Sequence, residues 1–349
     1  GTDVGWVFST GSDACVRIWR CGLESRPSDD AGGGALSQRW AAHVDCTLVA
    51  GEAEGEGEGE CHALLLGQHP HGTPDASSDA DGVWLACGAE SGAIYLWPLC
   101  GLPSGAAQPL PRPSVLRGHA SAVLQLAQLP PREHERREAP LILSASKDRS
   151  IRMWRLTMQA GRGSMSIGGE MVHCLPTAHR DVVRAVALVG DTFYSTGRDK
   201  TLRLWEPSSR DASDAAALDG RAVGGPAATD GGGVPSGALW RCARSLAAHT
   251  DEVLSLVAKP DGAWPRHASA QLGGGAGLVF SASRGGEVRI WDRESLVCLD
   301  AWVVHSSAIH ALIVRDDCLL SAAGDGTIRV TRAAPPRAKG GEQVPPVTA

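Results

Sequence analysis

The sequence predicts an all-β fold assembled from one repeated strand unit. Three observations lead there. An eleven-residue phrase recurs six times along the 349 residues, a second phrase led by histidine precedes five of the copies, and no run of eighteen apolar residues interrupts the pattern.

The first phrase reads SASKDRSIRMW at 144–154 and STGRDKTLRLW at 195–205. Its other copies are STGSDACVRIW (9–19), CGAESGAIYLW (87–97), SASRGGEVRIW (281–291) and SAAGDGTIRVT (321–331). Each follows a short apolar run: WVF, VWLA, LIL, TFY, LVF and CLL in chain order. Small residues with Asp or Gly at the centre suit a tight hairpin turn, and the I-R-x-W ending alternates as a strand with two environments does. The phrase is therefore strand, turn, strand.

The second phrase is a histidine followed by an apolar strand: AHVDCTLVA from Ala42, GHASAVLQLA from Gly118, AHRDVVRAVAL from Ala178, AHTDEVLSLVA from Ala248 and VHSSAIHALIV from Val304. A further short segment lies before each histidine (SQRWA, PSVLR, MVHCLPT, RCARSLA, CLDAWV). The unit is thus strand, His loop, strand, strand, turn, strand.

The G/A-H dipeptides, the S-x-x-x-D turns and the terminal Trp of R-x-W together resemble the WD-repeat family, over nearly the whole chain apart from insertions and tail. The resemblance implies a β-propeller in which each repeat supplies a four-stranded blade and the blades close into a ring. Six blades are recognisable. The first lacks its first strand and the last a clear fourth strand, so the expectation includes a seventh blade completing the ring. Because the chain opens at Gly1 with the phrase already running by Ser9, the sequence reads as a fragment.

The resemblance also implies an internal brace of His, Ser or Thr, Asp and Trp in each blade. The third blade offers His119, Ser144 or Ser146, Asp148 and Trp154; the fourth offers His179, Ser195, Asp199 and Trp205. The fifth keeps His249 and Trp291 but has Gly285 where Asp is expected, and the sixth keeps His305 and Asp325 but has Thr331 for Trp. The second has Ser91 at the Asp position. A buried polar network counts most when complete, so the middle blades are expected to be the firmest.

Successive phrase ends lie 78, 57, 51, 86 and 40 residues apart. Against a period of about 40 residues, insertions are expected at about 20–37, 51–82, 99–113, 130–139, 157–170, 207–238 and 259–277 of a propeller spanning 1–332. The Pro- and Gly-rich 333–349 reads as a disordered tail. The insertions fall between first and second or third and fourth strands, which makes one face ragged. The His loops and S-x-x-x-D turns form the opposite, compact face.

Composition narrows function. Net charge is −6 and hydrophobic residues make up 43%. The acidic balance and scarcity of Tyr and Phe argue against nucleic acid. There is no secretory pattern and no C-x-x-C among ten cysteines, which points to a reducing, intracellular setting, cytoplasmic or nuclear, and to no membrane. No nucleotide-loop, zinc-helix or nucleophile-elbow motif occurs. The recurring His, Ser and Asp read as structural, because a catalytic set is needed once and a brace in every blade. Neither catalytic residues nor a cofactor is assigned. Cys61, His62, His69 and His71 cluster in sequence but read as loop residues rather than a metal site, and GEAEGEGEGE (51–60) reads as a flexible acidic linker.

The compact face carries the one candidate site. Lys147 and Arg149 flank the third turn, Arg198 and Lys200 the fourth, Arg284 lies on the fifth, and Arg180 follows His179. Such an arc suits carboxylates or phosphates, so the expected role is a non-catalytic interaction scaffold for other proteins, including acidic or phosphorylated peptides. Two alternatives remain at this point: a substrate receptor of a ubiquitin ligase, and the regulatory C-terminal propeller of a larger enzyme or motor protein.

Overall fold

The computed structural model describes residues 5–27, 36–49, 60–68, 83–99, 112–129, 139–161, 164–208, 239–261, 276–316 and 318–332. They form six antiparallel sheets in a six-bladed propeller arrangement. The first holds β1 (Gly5–Thr10), β2 (Cys15–Pro27) and β3 (Leu36–Val49). The second holds β4 (Cys61–Gln68), β5 (Val83–Ala89), β6 (Ile94–Pro98) and β7 (Ser114–Leu116). In the third are β8 (Val123–Gln128), β9 (Leu141–Ser146), β10 (Ile151–Gly161) and β11 (Ser164–Leu175). The fourth comprises β12 (Val183–Val189), β13 (Thr192–Gly197), β14 (Thr201–Ser208) and β15 (Leu239–Ala247). The fifth comprises β16 (Val253–Asp261), β17 (Ala276–Ser283), β18 (Glu287–Asp292) and β19 (Cys298–Val303). The sixth has β20 (Ile309–Arg315), β21 (Cys318–Ala323) and β22 (Ile328–Arg332).

Alternation along the strands gives each sheet two apolar faces, and neighbouring sheets bury them against each other. Ile94 and Leu96 of the second sheet pack against Ile142 and Trp154 of the third. Ile151 and Met153 of the third meet Phe193 and Trp205 of the fourth. Leu202 and Leu204 of the fourth meet Val279 and Trp291 of the fifth, and Val288 and Ile290 of the fifth meet Leu312 and Leu319 of the sixth. The phrase-final tryptophan is therefore a wedge: Trp97, Trp154, Trp205 and Trp291 each press on the sheet before their own. Trp19, in the first sheet, is only half-buried.

Polar side chains tie the sheets together as well. Gln125 accepts a hydrogen bond from the Val186 N–H at 2.8 Å, Ser255 accepts one from the Leu312 N–H at 3.1 Å, and the Tyr194 hydroxyl donates to the Arg293 carbonyl at 2.9 Å.

Two expectations about the first and second blades are corrected. The AHVDCTLVA segment does not open the second blade: Leu36–Val49 is one strand, and His43 lies within it opposite Arg20. The cause is β2, which runs on to Pro27 and takes a partner of matching length. Much of the expected insertion at 20–37 is accordingly paired strand. The first strand of the second blade is instead β4, inside the expected insertion at 51–82. Glu60, just ahead of β4, stands at a His-loop position, its carbonyl accepting from the Glu90 N–H at 2.8 Å; residues 50–59, with the Glu-rich stretch, lie outside the described set. The expected insertion at 157–170 is also largely a hairpin, with Thr157 opposite Gly168 and Gln159 opposite Ser166. The expected tail 333–349 lies outside the described residues.

Candidate functional site

The compact face is built from the S-x-x-x-D turns and the loops that lead into the inner strands. In the third blade the Trp154 indole N–H donates to Ser144 Oγ at 2.8 Å, and Ser144 Oγ meets His119 Nε2 at 2.7 Å. His119 Nδ1 reaches Asp148 Oδ2 at 2.8 Å. Ser144 is thus the brace hydroxyl; Ser146 instead donates to the Ser121 carbonyl and accepts from the Asp148 N–H. The fourth blade repeats the chain with Trp205, Ser195, His179 and Asp199 at 2.8, 2.7 and 3.0 Å.

The fifth blade holds a residue that sequence reasoning missed. His249 Nε2 meets Ser281 Oγ at 2.7 Å and Trp291 donates to the same oxygen at 2.8 Å, while Nδ1 meets Glu287 Oε2 at 3.0 Å. Glu287 stands two positions beyond Gly285, and its extra methylene lets it take the role of the absent Asp. In the sixth blade His305 contacts Ser321 at 2.8 Å and Asp325 at 3.0 Å, with no tryptophan to close the chain. Among the described residues the first keeps only Trp19 donating to Ser9 at 2.7 Å. In the second blade Cys87 stands where the others have serine, because Leu85 faces Trp97 as Ile142 faces Trp154.

Electrostatics fix the protonation. Burial alone would raise the Asp148 carboxyl, but hydrogen bonds from His119 and Ser150 outweigh it and hold that group well below the usual carboxylate range. Asp199 behaves alike, with His179 and Thr201 overcoming the effect of burial. Burial pushes the His179 and His249 imidazoles below their ordinary value, against the pull of Asp199 and Glu287. The arrangement is that of a neutral ring donating from Nδ1 to a carboxylate and accepting at Nε2 from a serine hydroxyl.

In the second to sixth blades the turn hangs on the loop of its own blade by one repeated bond. The N–H groups of Glu90, Lys147, Arg198, Arg284 and Gly324 donate to the carbonyls of Glu60, Ala122, Val182, Glu252 and Ala308 at 2.8 to 2.9 Å. This repetition places the six candidate cations on one face. They differ in partners. Lys147 pairs with Glu90 of the second blade at 2.8 Å, and Glu90 also meets His62 at 2.5 Å. Arg284 shares the buried Glu252 with Arg184 of the fourth blade, at 3.5 and 2.8 Å. Arg198 lies 3.8 Å from the exposed Asp181, and Lys200 donates to the Thr250 carbonyl at 2.7 Å. Arg149 and Arg180 are exposed, and no partner of either guanidinium occurs among the described residues.

Among the described residues no group of three or more His, Cys, Asp or Glu is placed to hold a metal ion. Cys61 and His62 begin β4, while His69 and His71 lie outside the described residues. No described helix is long and apolar enough to cross a membrane.

Sheets of this order, braced by this chain of side chains, define a WD-repeat propeller. Residues 112–155, 169–206 and 240–292 match the family profile described as WD domain, G-beta repeat, and the chain belongs to the WD-repeat family. It is 24% identical over 193 residues to the human kinesin-like protein KIF21A, covering 55% of this chain and 9% of that protein. It is 35% identical over 88 residues to the nuclear distribution protein PAC1 of Zygosaccharomyces rouxii, covering 25% of this chain and 19% of that protein. The chain thus spans less than a fifth of the length of these relatives.

Proposed function

We propose that this chain is a non-catalytic docking platform inside the cell, and that its compact face receives acidic segments of other proteins. Propellers of this family commonly serve as protein-interaction scaffolds. The observation that carries the acidic preference is the uneven pairing of the cations: at the seam of the third and fourth blades, Arg149 and Arg180 have charge to spare. Rigid turns hold those groups in place, so little side-chain and loop ordering is lost when a partner binds. The histidines of the third, fourth and fifth braces, which could suggest hydrolysis, each lie inside one blade, tied to a serine that also bonds that blade's tryptophan.

The test is an affinity capture from cell extract with the wild-type chain and the Arg149→Glu/Arg198→Glu double variant. Loss of specific partners in the variant at unchanged thermal midpoint is expected. An identical capture profile overturns the reading.

The similarity to a kinesin-like protein over 193 residues supports a second reading, in which this propeller is a regulatory module of a longer motor polypeptide. The genomic open reading frame upstream of Gly1 decides it: a motor domain in frame is expected, and an unrelated upstream sequence rules it out.

A further inference from the structure

We propose that the seam between the third and fourth blades is a phosphoryl-binding site whose ligand is a phosphorylated peptide segment of a partner protein; this rests on the docking reading above and narrows it.

The blades themselves supply the comparison. Three positions of each blade reach the compact face beside a seam. The first turn residue is Glu90, Lys147, Arg198, Arg284 or Gly324. The third turn residue is Ala14, Gly92, Arg149, Lys200, Gly286 or Gly326, and all six adopt positive φ. The residue after the loop histidine is Ala120, Arg180, Thr250 or Ser306. Glycine, alanine, serine or threonine serves in most blades at the second and third of these positions, and Gly324 or the acidic Glu90 serves at the first, so the scaffold has no need of positive charge there. All three turn basic together only around one seam.

That concentration carries a conformational cost. Arg149 and Lys200 have φ of 71° and 64°, a left-handed conformation for which three of the other blades use glycine. A side chain there is disfavoured by about 1–2 kcal/mol. Strain retained at an exposed turn, where glycine would relieve it, points to a use for the side chain.

Backbone bonds bring the cations to one place. The His179 N–H lies 3.4 Å from the Arg149 carbonyl, and the next N–H, that of Arg180, donates to Asp199 Oδ2 at 3.0 Å. Arg198 precedes that aspartate, and its N–H donates to the Val182 carbonyl of the same loop at 2.9 Å. Asp199 itself is committed to His179, Thr201 and Arg203. Among the described residues, the carboxylate paired with the cluster is Asp181, beside Arg198 at 3.8 Å. Elsewhere on the face the corresponding charges, Lys147 and Arg284, are matched by Glu90 and Glu252.

The ligand class follows from valence. A carboxylate has two oxygens and one charge, and satisfies a single guanidinium fork; Asp181, 3.8 Å from Arg198, offsets charge without a hydrogen bond. Arg149 and Arg180 present two further forks beside Arg198; Lys200 is turned to the next seam, where it donates to the Thr250 carbonyl at 2.7 Å. A phosphoryl group carries nearly two charges near neutral pH and three acceptor oxygens, so it can take two forks and a third donor at once.

The experiment uses the full chain and three immobilised pools of one degenerate peptide library: phosphoserine and phosphothreonine, unmodified, and glutamate-substituted. Vesicles containing phosphoinositides and free inorganic phosphate as competitor form the other arms. The wild-type chain is expected to retain the phosphorylated pool at least about tenfold better than either other pool, with inorganic phosphate competing. Arg149→Gly is the decisive variant, because it removes the charge and relieves the strained turn. It is expected to lose retention while its thermal midpoint holds or rises, which separates a lost site from a lost fold. Arg180→Gln is expected to lose retention too, and Arg284→Gln to keep it. Equal retention of the glutamate pool overturns the phosphoryl assignment and leaves the acidic docking reading standing. Retention of no pool, preference for the vesicles, or wild-type retention by Arg149→Gly overturns it as well. The capture experiment with the Arg149→Glu/Arg198→Glu variant judges the broader reading independently.

Discussion

At the scale of single residues, the serine hydroxyl at the middle of each brace is the most sensitive atom. Ser195 Oγ joins the Trp205 N–H to His179 Nε2 in a fully buried setting. Ser195→Ala strands one donor and one acceptor out of reach of water, and is expected to cost about 2–4 kcal/mol. Ser9→Ala frees only the half-buried Trp19 indole, and about 1 kcal/mol is expected. Urea denaturation of both variants checks the difference. The same braces set the acid response. His179 and His249 are held below their unfolded value of 6.5, so only the unfolded chain takes up protons as pH falls through that value. Stability is then full above 6.5 and declines below it. Asp148 and Asp199, held below 3.8, add a second decline as pH drops under that value, when the unfolded carboxylates protonate first. A denaturant midpoint that falls in these two stages is expected, and His179→Gln with His249→Gln should flatten the first. Most of the brace was legible in the sequence because four residue types recur in phase. Glu287 was not: it differs from Asp in both length and position, and only the fold brings its carboxylate to His249.

At the scale of elements, the turn and loop between neighbouring blades share space unequally. Gly286 has φ +79°, and a Cβ there would lie 2.0 Å from the His305 carbonyl oxygen. Gly326 has φ +77° with nothing within 4 Å. The two share backbone strain but differ in room. Gly326→Ala is expected to cost about 1 kcal/mol and Gly286→Ala about 2–4 kcal/mol, since backbone must move to admit the methyl. Thermal unfolding of the pair measures the difference. Elements were also where sequence reading went astray. AHVDCTLVA has the composition of a His loop and strand, yet it completes the first sheet because β2 needs a long partner. The strand CHALLLGQ lacks the usual histidine four residues ahead of it, so no local signal marks it as the first strand of a blade. Local pattern identifies a strand and leaves its neighbour undetermined; the partner is set by register across the sheet.

At the scale of the molecule, stability comes from faces pressed together, and two faces differ from the rest. Ile290 and Val330 occupy the same register position, opposite Phe280 and Leu320. Ile290 is 0% exposed against the sixth sheet, whereas Val330 is 54% and Ile328 70% exposed. At the other end of the series Val7 is 51% exposed although its equivalents Leu85, Ile142 and Phe193 are fully buried. The repeat gives these positions core residues because the pattern is written blade by blade, and burial is then conferred by whichever sheet lies alongside. Ile290→Asp puts a charge into a dry interface and is expected to cost about 3–5 kcal/mol. Val330→Asp, at an exposed site, should stay within about 1 kcal/mol. Parallel urea titrations of the two variants of this chain measure the contrast. Equal losses would mean that the last face is covered in solution by some further part of the assembly, and that the six described sheets are not the whole of the packed ring.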